Sequence, residues 1–260
     1  MPESTAPVRG IELPSALRRA RGATPVPLRH ALRAGARRYG AVTASQRLLP
    51  DFLIIGAKKA GTSSLMNWLF HHPAVARMFP AAQGVKSPHY FDINYDKGPR
   101  WYASHFPSRA ARHRQERRLG GLSVVGEASP YYMFHPAVPD RVVQDLPNVR
   151  VIVLLREPVA RAYSNYWDRV AFGTETLPTF EQAIDAEPQR LAQVDTDRLR
   201  NDPGYYSAHH DHHTYLARGR YAEHLRPWLE RIPADRLLIV RADDLFREAA
   251  TTFDAVQDFL

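Results

Sequence analysis

The 260-residue sequence predicts an α/β fold in three layers, a central, mainly parallel sheet flanked by helices. Three stretches carry that expectation. Residues 51–70 open with a short branched apolar run, 52–55, that breaks at Gly56 into a small-residue loop and then a helix. Residues 149–155 are apolar apart from Arg150, the mark of a strand buried on both faces, and Pro158 suits the first turn of the helix that follows. A helix over 221–231 then leads into another apolar run, 237–241.

In chain order, residues 1–48 read as a basic, unstructured arm. Pro2, Pro7, Pro14, Pro25 and Pro27 interrupt it, and a basic helix over 27–39 would have only Leu28 and Leu32 as apolar support. Residues 1–50 hold nine Arg against Glu3 and Glu12, so seven of the eight net positive charges lie there. The body is nearly neutral, and no nucleic-acid partner is expected. The arm itself reads as a solvated tail, with weak contact to an acidic membrane surface as its functional alternative. Residues 49–260 are expected to form one domain. The lack of cysteine excludes disulfides and thiolate metal sites. No run approaches the roughly 18 apolar residues of a membrane span, and the first 25 residues have no apolar secretion core. With 31 Arg against four Lys, a bacterial, cytoplasmic protein is expected.

The loop after residues 52–55 carries Lys58 and Lys59. Thr62, Ser63 and Ser64 are candidate cap residues, and Leu65, Trp68 and Leu69 share one helix face. Strand, glycine-bounded loop and helix start make an anion cradle, because backbone N–H groups and the positive end of the helix dipole converge there. Gly56 and Gly61 have the separation of the phosphate loop GxxxxGK[ST], so the domain is P-loop-like. Thr62 nevertheless stands where that motif has its lysine, which argues against an ordinary nucleoside-triphosphate enzyme. A turn that merely caps a buried helix is the plain alternative.

KKAGTSSL resembles the 5′-phosphosulfate loop of the sulfotransferases that use 3′-phosphoadenosine 5′-phosphosulfate (PAPS). Three later segments are similar to the heparan-sulfate-type and bacterial members of that family, in the same order. In residues 85–107, Lys86, His89, Tyr90, Phe91, Asp92, Tyr95, Gly98, Trp101, Tyr102, Phe106 and Pro107 match, while Ser87 stands where the family has the glutamate usually taken as base. This segment reads as strand or extended chain, then loop, with Trp101, Tyr102 and Phe106 as packing anchors. In residues 126–136, after a short strand over 122–125, Glu127, Ser129, Pro130 and Tyr131 match and Ala128 replaces a lysine that grips anionic sugars. In residues 148–167 the Arg-x-Pro-x-x-Arg-Ala-x-Ser-x-Tyr pattern resembles the 3′-phosphate site, with Arg156 and Ser164 as its Arg and Ser. Otherwise Arg156 and Arg161 would be ion-pair residues on a helix surface.

The resemblance implies sulfuryl transfer from PAPS, as co-substrate, to a hydroxyl or less favourably an amine of a small-molecule, lipid-linked or carbohydrate acceptor. Lys59 would neutralise the bridging oxygen, Lys58 would add field, and Ala60, Gly61, Thr62, Ser63 and Ser64 would hold the 5′-phosphate. Arg156 and Ser164 would clamp the 3′-phosphate. Ser87 takes no proton at neutral pH, so His89 is assigned as the base with Asp92 orienting it. Lys86, Ser87, Asp92 and Glu127 are candidate acceptor contacts, Glu127 having a buried ion-pair role as its alternative. No metal is required, and residues 209–213, HHDHH, read as a loop near the acceptor mouth. The domain is expected to stop short of the family's C-terminal lid. Two rivals remain, a P-loop kinase dependent on Mg²⁺ and a non-catalytic nucleotide-binding protein; preference for a 3′-phosphate separates the first, turnover the second.

Overall fold

The computed structural model describes residues 26–81 and 85–260; expectations placed on residues 1–25 lie outside them. Five strands, β1 (Phe52–Gly56), β2 (Val75–Ala76), β3 (Val124–Ala128), β4 (Arg150–Leu155) and β5 (Leu237–Arg241), form one sheet in the order β2-β3-β1-β4-β5. Every pairing is parallel. On β1, Phe52, Leu53, Ile54 and Ile55 are all fully buried. Since successive side chains point to opposite faces, both faces of the sheet are covered, which makes the three layers. Residues 52–55 and 237–241 fall where the apolar runs put them. β3 starts two residues after the expected run because Leu122 is 84% exposed, and β2, only two residues long, has too little sequence to show a period.

The helices that matter for the site are, in chain order, α1 (Val26–Val42), α2 (Thr62–Leu69), α3 (Tyr90–Ile93), α4 (Gly98–Ala103), α5 (Pro158–Ala171), α6 (Ala208–His212) and α7 (Tyr221–Leu229). The described part of the basic arm is therefore helical. Its end packs on the body: Arg47 is buried, with its guanidinium 4.0 Å from the Phe79 ring centroid and Nη1 donating to the Phe106 carbonyl at 2.6 Å.

Residues 85–107 differ from the extended reading, since α3 and α4 replace much of the expected loop. The dense aromatic side chains there obscure any helical period, and they pack into one cluster: Tyr90 stacks on Tyr102 at 4.4 Å, and Phe91 and Phe106 meet Tyr102 edge-on. Residues 209–213 are likewise mostly a short helix, α6, capped by Ser207, whose Oγ accepts from His210 N.

Along the sheet, the chain leaves β1 toward β2 on one side and leaves β4 toward β5 on the other. β1 and β4 are neighbours, so a crevice opens beyond their C-terminal ends, where parallel α/β sheets bind ligands.

Candidate active site

Both cationic segments picked out by the sequence lie at that crevice. The loop after β1 is held to β4 by Ala57 N donating to Leu154 O at 2.7 Å. Arg156, just past β4, donates from Nη1 to the Lys59 carbonyl at 3.2 Å. A pair 97 residues apart in sequence is thus in direct contact.

The loop is shaped by its glycines. A Cβ on Gly56 would lie 2.8 Å from Met133 Cβ, and Gly61 has φ +96° with Phe246 and Leu245 within 3.3 Å of where its Cβ would stand. Gly61 is also the N-cap of α2 and leaves it with no side-chain cap. Thr62, Ser63 and Ser64, expected as caps, instead lie inside the first turn, so the first N–H groups of the helix keep their capacity for an anion.

Four cations share two carboxylates here. Lys59 Nζ is 2.8 Å from Asp168 Oδ1, and Arg169 pairs with the other oxygen of Asp168. Lys58 Nζ is 3.1 Å from Asp211 Oδ1, with Arg218 at 3.3 Å from the same oxygen. Arg169 Nη1 and His212 Nδ1, 3.2 Å apart, join the two groups. Burial pushes the Lys58 ammonium down to about 8, helped by the Arg218 charge, and pushes Lys86 down to about 8, helped by Lys59. For Asp168, burial alone would raise the pKa, but the hydrogen bonds of Lys59 and Arg169 bring it below the usual carboxylate range. The excess of positive charge suits a multiply charged anion.

Ser164 lies on α5 one turn before Asp168, on the face that reaches Lys59. Glu157 caps α5, its carboxylate accepting from Val159 N and Ala160 N. Arg161, considered as a surface ion-pair residue, is in fact fully buried and donates to the Tyr215 carbonyl. Lys86 reaches back across the crevice to Ser63 Oγ.

The side expected to face an acceptor is formed by residues 86–92 and the end of β3. His89, with φ +50°, places Nδ1 2.8 Å from Asp92 Oδ2. Burial lowers the imidazole pKa, but Asp92, by charge and hydrogen bond, outweighs it, and the net shift is upward. Asp92 itself is buried, its Oδ1 accepting from Ile93 N at 2.8 Å. Ser87 Oγ is 2.5 Å from Ser129 Oγ.

Glu127 meets neither expectation made for it. It has no exposed surface for an acceptor and, among the described residues, no ion pair; Tyr102 OH, Tyr132 OH and Ser129 Oγ donate to it at 2.6, 3.0 and 2.8 Å. In HHDHH, His210 is buried against Phe134 and meets Tyr131 OH at 2.6 Å, while His209 and His213 face each other at 3.0 Å. The member that meets the cationic loop is Asp211, through Lys58, and sequence reasoning passed it over together with Asp168, Arg169 and Arg218. For Asp168 a signal was available, since it stands four residues after Ser164 on the same helix.

Fold and site together define a parallel α/β domain whose two central strands end at a cluster with more cations than carboxylates. Residues 49–260 match the family model "Sulfotransferase domain", and the chain belongs to that family. It is 32% identical over 212 residues to heparan sulfate glucosamine 3-O-sulfotransferase 3B1 of Homo sapiens, covering 82% of this chain and 46% of that protein. It is also 32% identical over 216 residues to the human bifunctional heparan sulfate N-deacetylase/N-sulfotransferase 2, covering 82% of this chain and 22% of that one. The chain thus spans less than half the length of these relatives. Among solved structures, a sulfotransferase from Alicyclobacillus acidocaldarius superposes with a TM-score of 0.59 at 27% identity, covering 82% of this chain and 81% of that one. These sulfotransferases have the P-loop-like fold expected from the loop.

Proposed function

We propose that this chain transfers a sulfuryl group from PAPS to a hydroxyl or amine of a carbohydrate, lipid-linked or small-molecule acceptor. The observation that carries the reading is the contact between the Lys59 loop and Arg156, with Ser164 on the adjoining helix face. Phosphate groups at the 5′ and 3′ positions of one nucleotide call for two cationic centres close to one another. The uncapped start of α2, from Ala60 to Ser64, suits the 5′-phosphate, and the guanidinium of Arg156 with the hydroxyl of Ser164 suits the 3′-phosphate.

When bound, PAPS supplies the activated sulfuryl group. Lys59 neutralises charge on the oxygen that leaves with the nucleotide, and Lys58 adds to the field. Asp168 and Asp211 hold the two lysines at the crevice until an anion competes for them. Two groups on the acceptor side can take the acceptor's proton, His89 only when its ring is neutral and, behind Ser87, Glu127. Asp92 keeps His89 as imidazolium over a wider pH range, which suits it to hold an anionic or hydroxyl group of the acceptor. Replacement of the family's sugar-gripping lysine by Ala128 favours an acceptor less anionic than a sulfated glycan.

The arginine-rich, cysteine-free composition supports a bacterial, cytoplasmic setting, and no helix among the described residues is long and apolar enough to cross a membrane. In this reading residues 49–260 are the catalytic domain, residues 1–48 an extension, and no metal is needed. The test is calorimetric binding of 3′-phosphoadenosine 5′-phosphate against ADP, followed by transfer of radiolabelled sulfate from PAPS into a metabolite extract. Equal affinity for the two nucleotides, or no labelled product, defeats the proposal.

A further inference from the structure

Glu127 is a carboxylate buried in the sheet with no cation beside it among the described residues, an arrangement that costs stability unless its hydrogen bonds and protonation offset it. Its Oε1 is taken by Tyr102 and Tyr132, and its Oε2 accepts from Ser129. Ser129 is itself fully buried and lies 2.5 Å from Ser87, the only one of the three with exposed surface. Each hydroxyl has one proton. Ser129 spends its proton on the carboxylate, so Ser87 donates to Ser129, and the Ser87 oxygen is left to accept a hydrogen bond from outside. Ser87 stands between Lys86, which touches Ser63 of the phosphate loop, and His89.

We propose that Ser87, Ser129 and Glu127 form a proton relay that serves as the general base of this chain, in place of a carboxylate at the crevice surface. The proposal rests on the sulfuryl-transfer reading. As the acceptor oxygen forms its bond to sulfur, the bond from sulfur to the 5′-phosphate oxygen breaks and its electron pair leaves with 3′-phosphoadenosine 5′-phosphate. The acceptor's proton passes to Ser87, the Ser87 proton to Ser129, and the Ser129 proton to Glu127 Oε2. The same chain run backwards discharges the proton to water after the products leave.

The surroundings fit a base that works near neutrality. Burial raises Glu127 to about 7 against the pull of the Tyr102, Ser129 and Tyr132 hydroxyls, and Asp92 on α3 pushes the same way as burial. Tyr102 on α4 and Tyr132 after β3 are held well above their usual range, so both stay donors, and the Glu127 charge in turn raises His89. His89 has its own carboxylate partner in Asp92, which holds a proton on the ring.

The experiment measures release of labelled sulfate from PAPS to water and to a panel of hydroxylated sugars, with the full chain, across pH 5–9. Glu127→Gln and Ser87→Ala are each expected to lower kcat by roughly 100-fold, in the range of general-base loss. Affinity for 3′-phosphoadenosine 5′-phosphate stays within about two-fold, since neither side chain touches the phosphate cradle. The rise in rate around pH 7 disappears with Glu127→Gln. The double variant S87E/E127Q, which puts a carboxylate at the surface, regains rate and moves the rise toward the ordinary glutamate value near ~4.3. The relay is overturned if folded, nucleotide-binding Glu127→Gln keeps the wild-type kcat and pH profile, or if His89→Gln removes the pH 7 rise while Glu127→Gln keeps it. A wild-type chain that transfers no label overturns the sulfuryl-transfer reading first, and the relay with it.

Discussion

On the side of the crevice proposed for phosphate, Lys58, Lys59 and Arg156 sit on short turns directly after two neighbouring central strands. On the side proposed for the acceptor, Ser87 and His89 come from a segment of short helices without regular period, and Glu127 comes from the interior of β3. The first wall is charge and main chain presented outward, with two carboxylates holding four cations. The second is a closed hydrogen-bond network that meets the crevice through one hydroxyl and one imidazole. The comparison teaches that, in the proposed reading, binding of the nucleotide and handling of the acceptor proton are separable, because the residues assigned to each share few direct contacts.

The largest expected effect breaks the phosphate wall. Lys59→Ala lowers sulfuryl-transfer turnover by roughly 10²–10³-fold, the usual loss when a positioned donor to developing charge is removed. Label transfer from PAPS reads it directly; wild-type turnover in this variant would remove the lysine from the mechanism.

Next in size is a test of the acceptor wall by stability. The folded-state pKa of Glu127 lies above its ordinary 4.5, at about 7, so the native protein keeps a proton that the unfolded chain has lost. This contribution is fully present below pH 4.5 and is lost as pH rises to about 7, an expected decline of about 3 kcal/mol at 1.36 kcal/mol per unit. Urea titrations at several pH values should show the decline in the wild type and its absence in Glu127→Gln. A flat wild-type profile would mean that the buried carboxyl ionises freely.

Arg156→Ala sharpens the contrast from the other direction. It should weaken 3′-phosphoadenosine 5′-phosphate by about 1.5–3 kcal/mol, the usual worth of a hydrogen bond to a charged group, while changing ADP affinity little. Equal losses for both nucleotides would show that Arg156 serves the loop through its bond to Lys59 O and not the 3′-phosphate.

The smallest effect is structural. Gly61→Ala puts a Cβ at φ +96° against Phe246 and Leu245, for an expected loss of about 1–2 kcal/mol in the thermal midpoint analysis. Nucleotide binding should fall with it, since the same turn aims the start of α2, whereas the pH 7 rise in rate should stay.

The phosphate wall was legible because its grammar is local. An apolar run, a glycine-bounded loop with two lysines and a helix face lie within residues 51–70, and Arg156 follows an apolar run that could only be a buried strand. The acceptor wall was legible only as a list of matching residues. Aromatic density hid α3 and α4, the five-residue HHDHH run hid a helix whose central Asp211 pairs with Lys58, and Glu127 could not be told from a surface carboxylate.

What the sequence determined by itself, then, is where strands end and cations follow, since backbone geometry and hydrophobic period act over a few residues. The tertiary structure alone decided what each charge faces. Lys58 and Asp211 are 153 residues apart, Lys59 and Asp168 are 109 apart, and Ser87 and Ser129 are 42 apart. The physical reason is that the pKa and reach of a side chain depend on burial and on partners brought by folding, and neither quantity is a property of neighbouring residues in the chain.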